Sequence, residues 1–86
     1  MEIDYAPDFI KKFKKTPKKI TIVFRKRLEL FIKNKFSPIL NNHQLAGNYK
    51  GLRSINITGD WRAIYQEIDK NTIYFVEIGT HSQLYK

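Results

Sequence analysis

The stretch "LRSINITGDWRAIYQEIDKNTIYFVEI", residues 52–78, decides the fold. It contains three runs rich in β-branched and aromatic side chains, which are typical of β-strands. The strands that this pattern predicts are Leu52–Thr58, Trp61–Ile68 and Thr72–Ile78. Gly59 and Asp60 separate the first two runs, and "DKN" separates the last two, so both connections suit tight hairpins. We therefore expect an antiparallel meander of three strands.

The residues before this stretch have the spacing of amphipathic helices. "PDFIKKFKK", residues 7–15, places Phe9, Ile10 and Phe13 on one stripe, and Pro17 suits the first position of a second helix that runs to about Lys35. The apolar face expected for this second helix comprises Ile20, Val23, Phe24, Leu28, Phe31 and Ile32.

At the start of the chain, "MEIDYA" alternates enough for a short strand. A helical hairpin packed on one face of a small, mainly antiparallel sheet is an α+β fold. The length of 86 residues predicts a single domain, residues 1–86.

Between the helices and the meander lies "FSPILNNHQLAGNYKG", residues 36–51. We expect a long loop here, fixed to the core by Leu40 and Leu45. A loop of this length in a small domain is usually either functional or wrongly assigned.

The charge of the chain is unevenly distributed. The formal net charge is +8, and eleven Lys or Arg residues fall between residues 11 and 35, against Glu29 alone. Such clustering is typical of nucleic-acid binding. A solvated helix face or a surface for an acidic protein partner explains it equally well.

The chain has no cysteine, which excludes disulfides and thiolate metal sites and favours a cytoplasmic protein. No secretory signal or membrane-spanning run is apparent, so we expect no membrane contact.

Alternation along the strands predicts which side chains face the helices. The inward set is expected to be Ile55, Ile57, Trp61, Ala63, Tyr65, Tyr74, Val76 and Ile78. Asn56 and Arg62 then face away from the helices, as does His81 if the chain stays extended past Gly79. Three neighbouring strands would thus bring these side chains to one open face.

These residue types suit the cleavage of RNA through its own 2′-hydroxyl. That reaction needs a base for the hydroxyl, an acid for the departing oxygen, and positive charge on the phosphate. His43 and His81 are the only histidines, and imidazole exchanges protons near neutral pH. Arg62 is a candidate phosphate clamp. The alternative is that all three are ordinary surface residues.

Further candidates have structural alternatives as well. Asp60 either orients an imidazole or simply forms a turn. Tyr85 either stacks on a base or donates a proton, or else covers the core edge. Arg53 binds phosphate or forms a cross-strand ion pair, and Asn56 by itself is a common polar strand residue.

A metal site built from His43, Asp60 and His81 lacks the spacing of known metal motifs, so we expect neither metal nor cofactor.

From His43 onward the chain resembles the RelE/ParE superfamily of bacterial toxins, and most closely its YafQ branch. The matching pieces are His-x-Leu-x-Gly at 43–47, Gly-x-Arg at 51–53, Asp-Trp at 60–61, and Gly-Thr-His-x-x-Leu-aromatic at 79–85. This resemblance implies a ribosome-dependent endoribonuclease that cuts mRNA in the decoding A site and is silenced by a cognate antitoxin.

The resemblance also implies roles for individual residues. His43, Asp60, His81 and Tyr85 match catalytic positions of YafQ-like toxins, and Arg62 is similar to an arginine that RelE uses. Arg53, Lys50 and Asn56 are then expected to contact the substrate.

At Asn56 the YafQ-like pattern has a histidine. Asparagine forms hydrogen bonds but does not transfer protons near pH 7. Arg62 is therefore expected to take over part of the electrostatic role of that histidine.

Two rival functions remain at this point. One is a non-catalytic ParE-like toxin that poisons DNA gyrase, although such toxins generally lack the histidine and Asp-Trp set. The other is a decayed module that only binds its antitoxin.

Overall fold

A five-stranded sheet with the strand order β1-β5-β4-β3-β2 organises the molecule. The structure is a computed structural model, which describes residues 1–85. The strands are β1 (Glu2–Tyr5), β2 (His43–Gln44), β3 (Arg53–Asn56), β4 (Trp61–Asp69) and β5 (Thr72–Thr80). Within residues 1–85, β1 and β5 pair in parallel, and the other neighbouring strands pair in an antiparallel arrangement. The expected α+β fold is confirmed.

The helices α1 (Pro7–Lys15) and α2 (Lys18–Lys33) form a hairpin over one face of the sheet. Phe75 of β5 is fully buried at the centre of this interface. Its ring centroid lies 5.7 Å from that of Phe9, 5.5 Å from that of Phe24 and 6.0 Å from that of Phe31. Aromatic rings supply much of the buried area in a small domain, and this cluster therefore holds both helices on the sheet.

The inward face of β5 differs from the expected one. Ile73, Phe75 and Ile78 are buried, whereas Tyr74 and Val76 are only partly buried. The pairing steps from Ile64 opposite Glu77 to Tyr65 opposite Phe75, so that β5 holds one extra residue at Val76. This irregularity exchanges the two faces of the strand, because a shift of one residue moves every side chain to the other side.

The helical apolar stripes are narrower than expected. Ile10 and Ile32 are 43% and 48% exposed, while Phe9, Phe24 and Phe31 carry the packing. The predictions for Ile10 and Ile32 were wrong because the spacing of apolar residues does not show where the sheet beneath a helix ends.

The segment 36–51 is more ordered than a plain loop. It contains β2, the edge strand beside β3, and two single-turn 3₁₀ helices, Pro38–Leu40 and Gly47–Tyr49. Leu40 is fully buried, as expected, and Leu45 is half-buried. No helix within residues 1–85 has the length and apolar content needed to cross a membrane.

Beyond β5 the chain does not stay extended. It turns into a short helix, α3 (His81–Leu84), whose start is stabilised by a capping box. The Thr80 side chain accepts a hydrogen bond from the Gln83 amide, and the Gln83 side chain accepts one from the Thr80 amide. The turn places His81 and Tyr85 one helical turn apart.

Candidate active site

A cleft of about 450 Å³ opens beside β2, β4 and α3. Its lining combines polar and basic side chains with a few apolar ones: Asn41, His43, Gln44, Leu45, Ala46, Arg62, His81 and Tyr85. Four of the residues singled out by sequence, His43, Arg62, His81 and Tyr85, therefore share one cleft. They come from positions up to 42 residues apart in the chain, and the order of the strands brings them together.

His43 is held in a defined tautomer. Its Nδ1 lies 2.8 Å from the backbone carbonyl oxygen of Asn41. A carbonyl oxygen only accepts hydrogen bonds, so Nδ1 must carry the proton that is donated. In the neutral ring, Nε2 is then left with a lone pair, as a general base requires. Asn41 supplies this carbonyl from a left-handed backbone conformation, φ 45°, that asparagine tolerates better than most residues.

His81 begins α3 with an exposed side chain. Its backbone N–H donates to the Asp60 carbonyl oxygen at 2.9 Å, which ties α3 to the turn between β3 and β4. Its ring packs against that of Tyr85, with centroids 4.7 Å apart. The backbone and the tyrosine thus orient the exposed imidazole.

The Arg62 guanidinium is anchored on one side. Its Nη1 donates to the carbonyl oxygens of Gly59 at 2.8 Å, Thr58 at 3.1 Å and Trp61 at 3.3 Å. A guanidinium carries five N–H donors in a planar fork, so donors remain for an anion in the cleft. The turn carbonyls therefore fix the direction in which Arg62 presents its charge.

Tyr85 forms the inner wall of the cleft. Its hydroxyl oxygen is buried and has no hydrogen-bond partner among residues 1–85. Tyr49 packs edge-on against it, with ring centroids 5.9 Å apart. Burial, followed by the nearby Glu77 carboxylate, raises the pKa of Tyr49, so this phenol stays protonated. An unpaired buried hydroxyl is costly in free energy.

Asp60 and Asn56 stand beside the cleft, outside its lining. The Asp60 side chain is exposed in the turn, and its carbonyl, as described, holds His81. Asn56 lies directly opposite Arg62 in the β3–β4 pairing, and its Oδ1 is buried without a partner in the described chain. The structure thus places Asn56 next to Arg62, the residue expected to take over part of the role of the histidine that the YafQ-like pattern has at position 56.

Arg53 and Lys50 lie apart from the histidines. They line a second groove, of about 560 Å³, which shares Gln44, Leu45 and Ala46 with the cleft. Arg53 is paired with Tyr65 and so lies on the helix side of the sheet, where its Nε donates to Asn42 Oδ1 at 2.8 Å. The cross-strand ion pair considered for Arg53 does not form among the described residues.

Sequence reasoning missed Asn41 and Tyr49. Asn41 acts through its backbone carbonyl, which a pattern of side chains does not predict. Tyr49 lies in a segment without the periodicity of a strand or a helix. Within the described part of the chain, no three His, Asp or Glu side chains lie close enough together to hold a metal ion.

The fold and cleft together define a class of proteins, the RelE-like toxins. YafQ from E. coli is similar at 25% identity with a TM-score of 0.82, covering 99% of this chain and 98% of that one. The E. coli DinJ–YafQ toxin–antitoxin complex gives 26% identity, a TM-score of 0.79, and coverage of 99% and 97%. A YoeB/ParE toxin from Agrobacterium tumefaciens shares the fold at 14% identity, with a TM-score of 0.76 over 94% and 99% of the two chains.

Within that class the family is also defined. The model for YafQ, the bacterial toxin of a type II toxin–antitoxin system, matches residues 1–86. The chain belongs to the YafQ family of type II toxins. A comparison with curated proteins gave no significant match.

Proposed function

We propose that this toxin is an endoribonuclease that cuts mRNA in the ribosomal A site, through attack of the 2′-hydroxyl on the adjacent phosphate. The observation that carries the proposal is the cleft that holds two imidazoles, an anchored guanidinium and a buried phenol. Membership of the YafQ family supports it.

The roles follow from the hydrogen bonds. His43 Nε2 takes the proton of the 2′-hydroxyl, because Nδ1 is committed to the Asn41 carbonyl. The oxygen attacks the phosphorus, the bond to the 5′-oxygen breaks, and His81 supplies the proton to that leaving oxygen. Arg62 stabilises the charge that builds on the phosphate oxygens. The products are a 2′,3′-cyclic phosphate and a 5′-hydroxyl.

Tyr85 contributes a hydroxyl and a ring. The ring supports the His81 imidazole, with the two centroids 4.7 Å apart, and the unpaired hydroxyl donates to a phosphate or ribose oxygen once the side chain moves out of its buried position. Asp60 acts as a positioning residue, since its carbonyl fixes the start of α3. In this scheme the Asp60 side chain is dispensable for the proton transfers, whereas its backbone conformation is needed.

The partners follow from the charge distribution. Basic residues between 11 and 35 other than Lys12 and Lys35, which form ion pairs, would contact ribosomal RNA, and binding to ribosomes should weaken steeply with salt. The same positive surface suits an acidic cognate antitoxin, and the similar E. coli toxin is found in a complex with DinJ.

The test is to incubate the purified protein with ribosomes programmed with mRNA and to map new 5′ ends. Wild type should cut in the A site, and His81→Ala and His43→Ala should each lower the rate about 100-fold or more. Ser82→Ala is the matched control, because Ser82 is an exposed neighbour on α3. Cleavage that persists in His81→Ala and His43→Ala would overturn the proposal.

Expression in cells separates the rival functions. Stable mRNA together with an induced DNA damage response would favour a ParE-like action on gyrase. Unaffected growth would favour a module that only binds its antitoxin.

A further inference from the structure

Phe36 presents an exposed aromatic ring outside the cleft, on the segment that joins α2 to β2. The residue is 58% exposed. The Lys35 ammonium and the Arg53 guanidinium each lie 5.5 Å from the ring centroid. The Lys35 ammonium also pairs with the Glu67 carboxylate at 3.1 Å, so Arg53 is the main source of positive charge beside this ring. Proteins bind unpaired nucleic-acid bases with this combination, in which the base stacks on the ring and the cations attract the phosphates.

The arrangement is held in place before any ligand binds. Arg53 Nε donates to Asn42 Oδ1 at 2.8 Å, and Asn42 Nδ2 in turn donates to the Lys35 carbonyl at 2.9 Å. The Phe36 amide donates to Asn34 Oδ1 at 3.2 Å. A preorganised ring and guanidinium lose little conformational entropy on binding, so the contact energy is retained.

The ring is also connected to the cleft along the surface. Arg53 lines the second groove, which holds Lys50 and shares Gln44, Leu45 and Ala46 with the cleft. The two depressions adjoin at these three residues, so an extended RNA strand that leaves the cleft can pass around β2 to Arg53, whose guanidinium lies 5.5 Å from the centroid of the Phe36 ring.

A comparison within the same segment shows what is special about Phe36. Ile39 is 51% exposed, three residues further on, yet no cation–π contact is available to an aliphatic side chain. An apolar surface for a protein partner would use both residues, whereas a base-stacking site would use only the ring.

We infer that Phe36, Arg53 and Lys35 form a binding site for one unpaired base of single-stranded RNA, and that Lys50 contacts the backbone between this site and the cleft. The inference rests on the proposed function only in taking RNA as the ligand. It requires no cleavage.

The test measures the binding of a short fluorescein-labelled single-stranded RNA by anisotropy, with the full-length chain carrying His81→Ala so that the RNA stays intact. Phe36→Leu should weaken binding about 10-fold, and Phe36→Trp should keep it within about twofold. Arg53→Lys keeps the charge but loses the planar group, and should weaken binding about threefold. Thermal melts of each variant establish that it is folded.

Ile39→Ala is the matched control and should leave RNA binding within about twofold of the parent. An unchanged Kd in Phe36→Leu, or an equal loss in Ile39→Ala, would overturn the inference. Loss of antitoxin binding in Phe36→Leu without loss of RNA binding would also overturn it and identify a protein-docking surface instead. A wild-type protein that fails to cut mRNA but still binds RNA through Phe36 would refute the proposed function alone.

Discussion

In the proposed mechanism Arg62 both stabilises the turn before β4 and binds the phosphate, and two substitutions separate these functions. Nη1 donates to the turn carbonyls, and in the proposed mechanism the remaining donors bind the phosphate. Arg62→Met removes both the hydrogen bonds to the turn and the contact with the phosphate. The half-exposed turn bonds are worth about 1 kcal/mol in unfolding free energy, and loss of a preorganised donor to the developing oxyanion is worth about 3 kcal/mol, or about 150-fold in rate. Arg62→Lys should keep most of the stability, because an ammonium can reach the same carbonyls, but lose at least about 10-fold in rate.

The assay is the single-turnover rate of cleavage on programmed ribosomes at saturating toxin, with urea unfolding of each variant measured in parallel. The decisive result is the difference between the two variants, since only the rate should fall in Arg62→Lys. A rate within about twofold of wild type for Arg62→Lys would show that the planar fork is not used. A wild-type rate for Arg62→Met would reduce Arg62 to a structural support for the turn.

Further substitutions test the pH dependence of stability, the candidate active site and the core. Burial raises the pKa of Tyr65, so its contribution to stability is complete below about pH 10 and is lost as the pH rises further; Tyr65→Phe should flatten the decline in urea midpoint between about pH 9 and pH 11. Asn56→His places an imidazole opposite Arg62 and should speed mRNA cleavage at least several-fold, whereas an unchanged rate would mean that the arginine already replaces it. Phe75→Leu should lower the unfolding free energy by about 2 kcal/mol in urea melts, while Phe36→Leu, on the exposed surface, should change it by less than about 0.5 kcal/mol.

The strands of the meander were predictable because β-branched and aromatic runs alternate with turn residues there. The inward face of β5 was not predictable, because its extra residue at Val76 leaves no recognisable pattern in the sequence. Register from a single strand cannot show where its partner slips.

The cleft was only partly predictable from the sequence. His81 reached it through α3 and not through an extended strand, and the Thr80–Gln83 capping box was the readable signal for that helix. β2 has only two residues, too few for any periodicity, so the position of His43 depended on family resemblance. Arg53 and Ile55 are two positions apart in β3 and so lie on the same face of the sheet. The predicted inward position of Ile55 therefore already implied that Arg53 faces the helices.

The parallel pairing of β1 with β5 has a consequence for how the toxin comes into being. Residues 2–5 have no partner strand until residues 72–75 have been synthesised, and Phe9 and Phe24 lack the ring of Phe75 on which they pack. Contacts between such distant parts of a chain form late in folding. A nascent toxin therefore has neither a closed core nor a complete cleft until residues 72–85, which supply β5, His81 and Tyr85, have been synthesised.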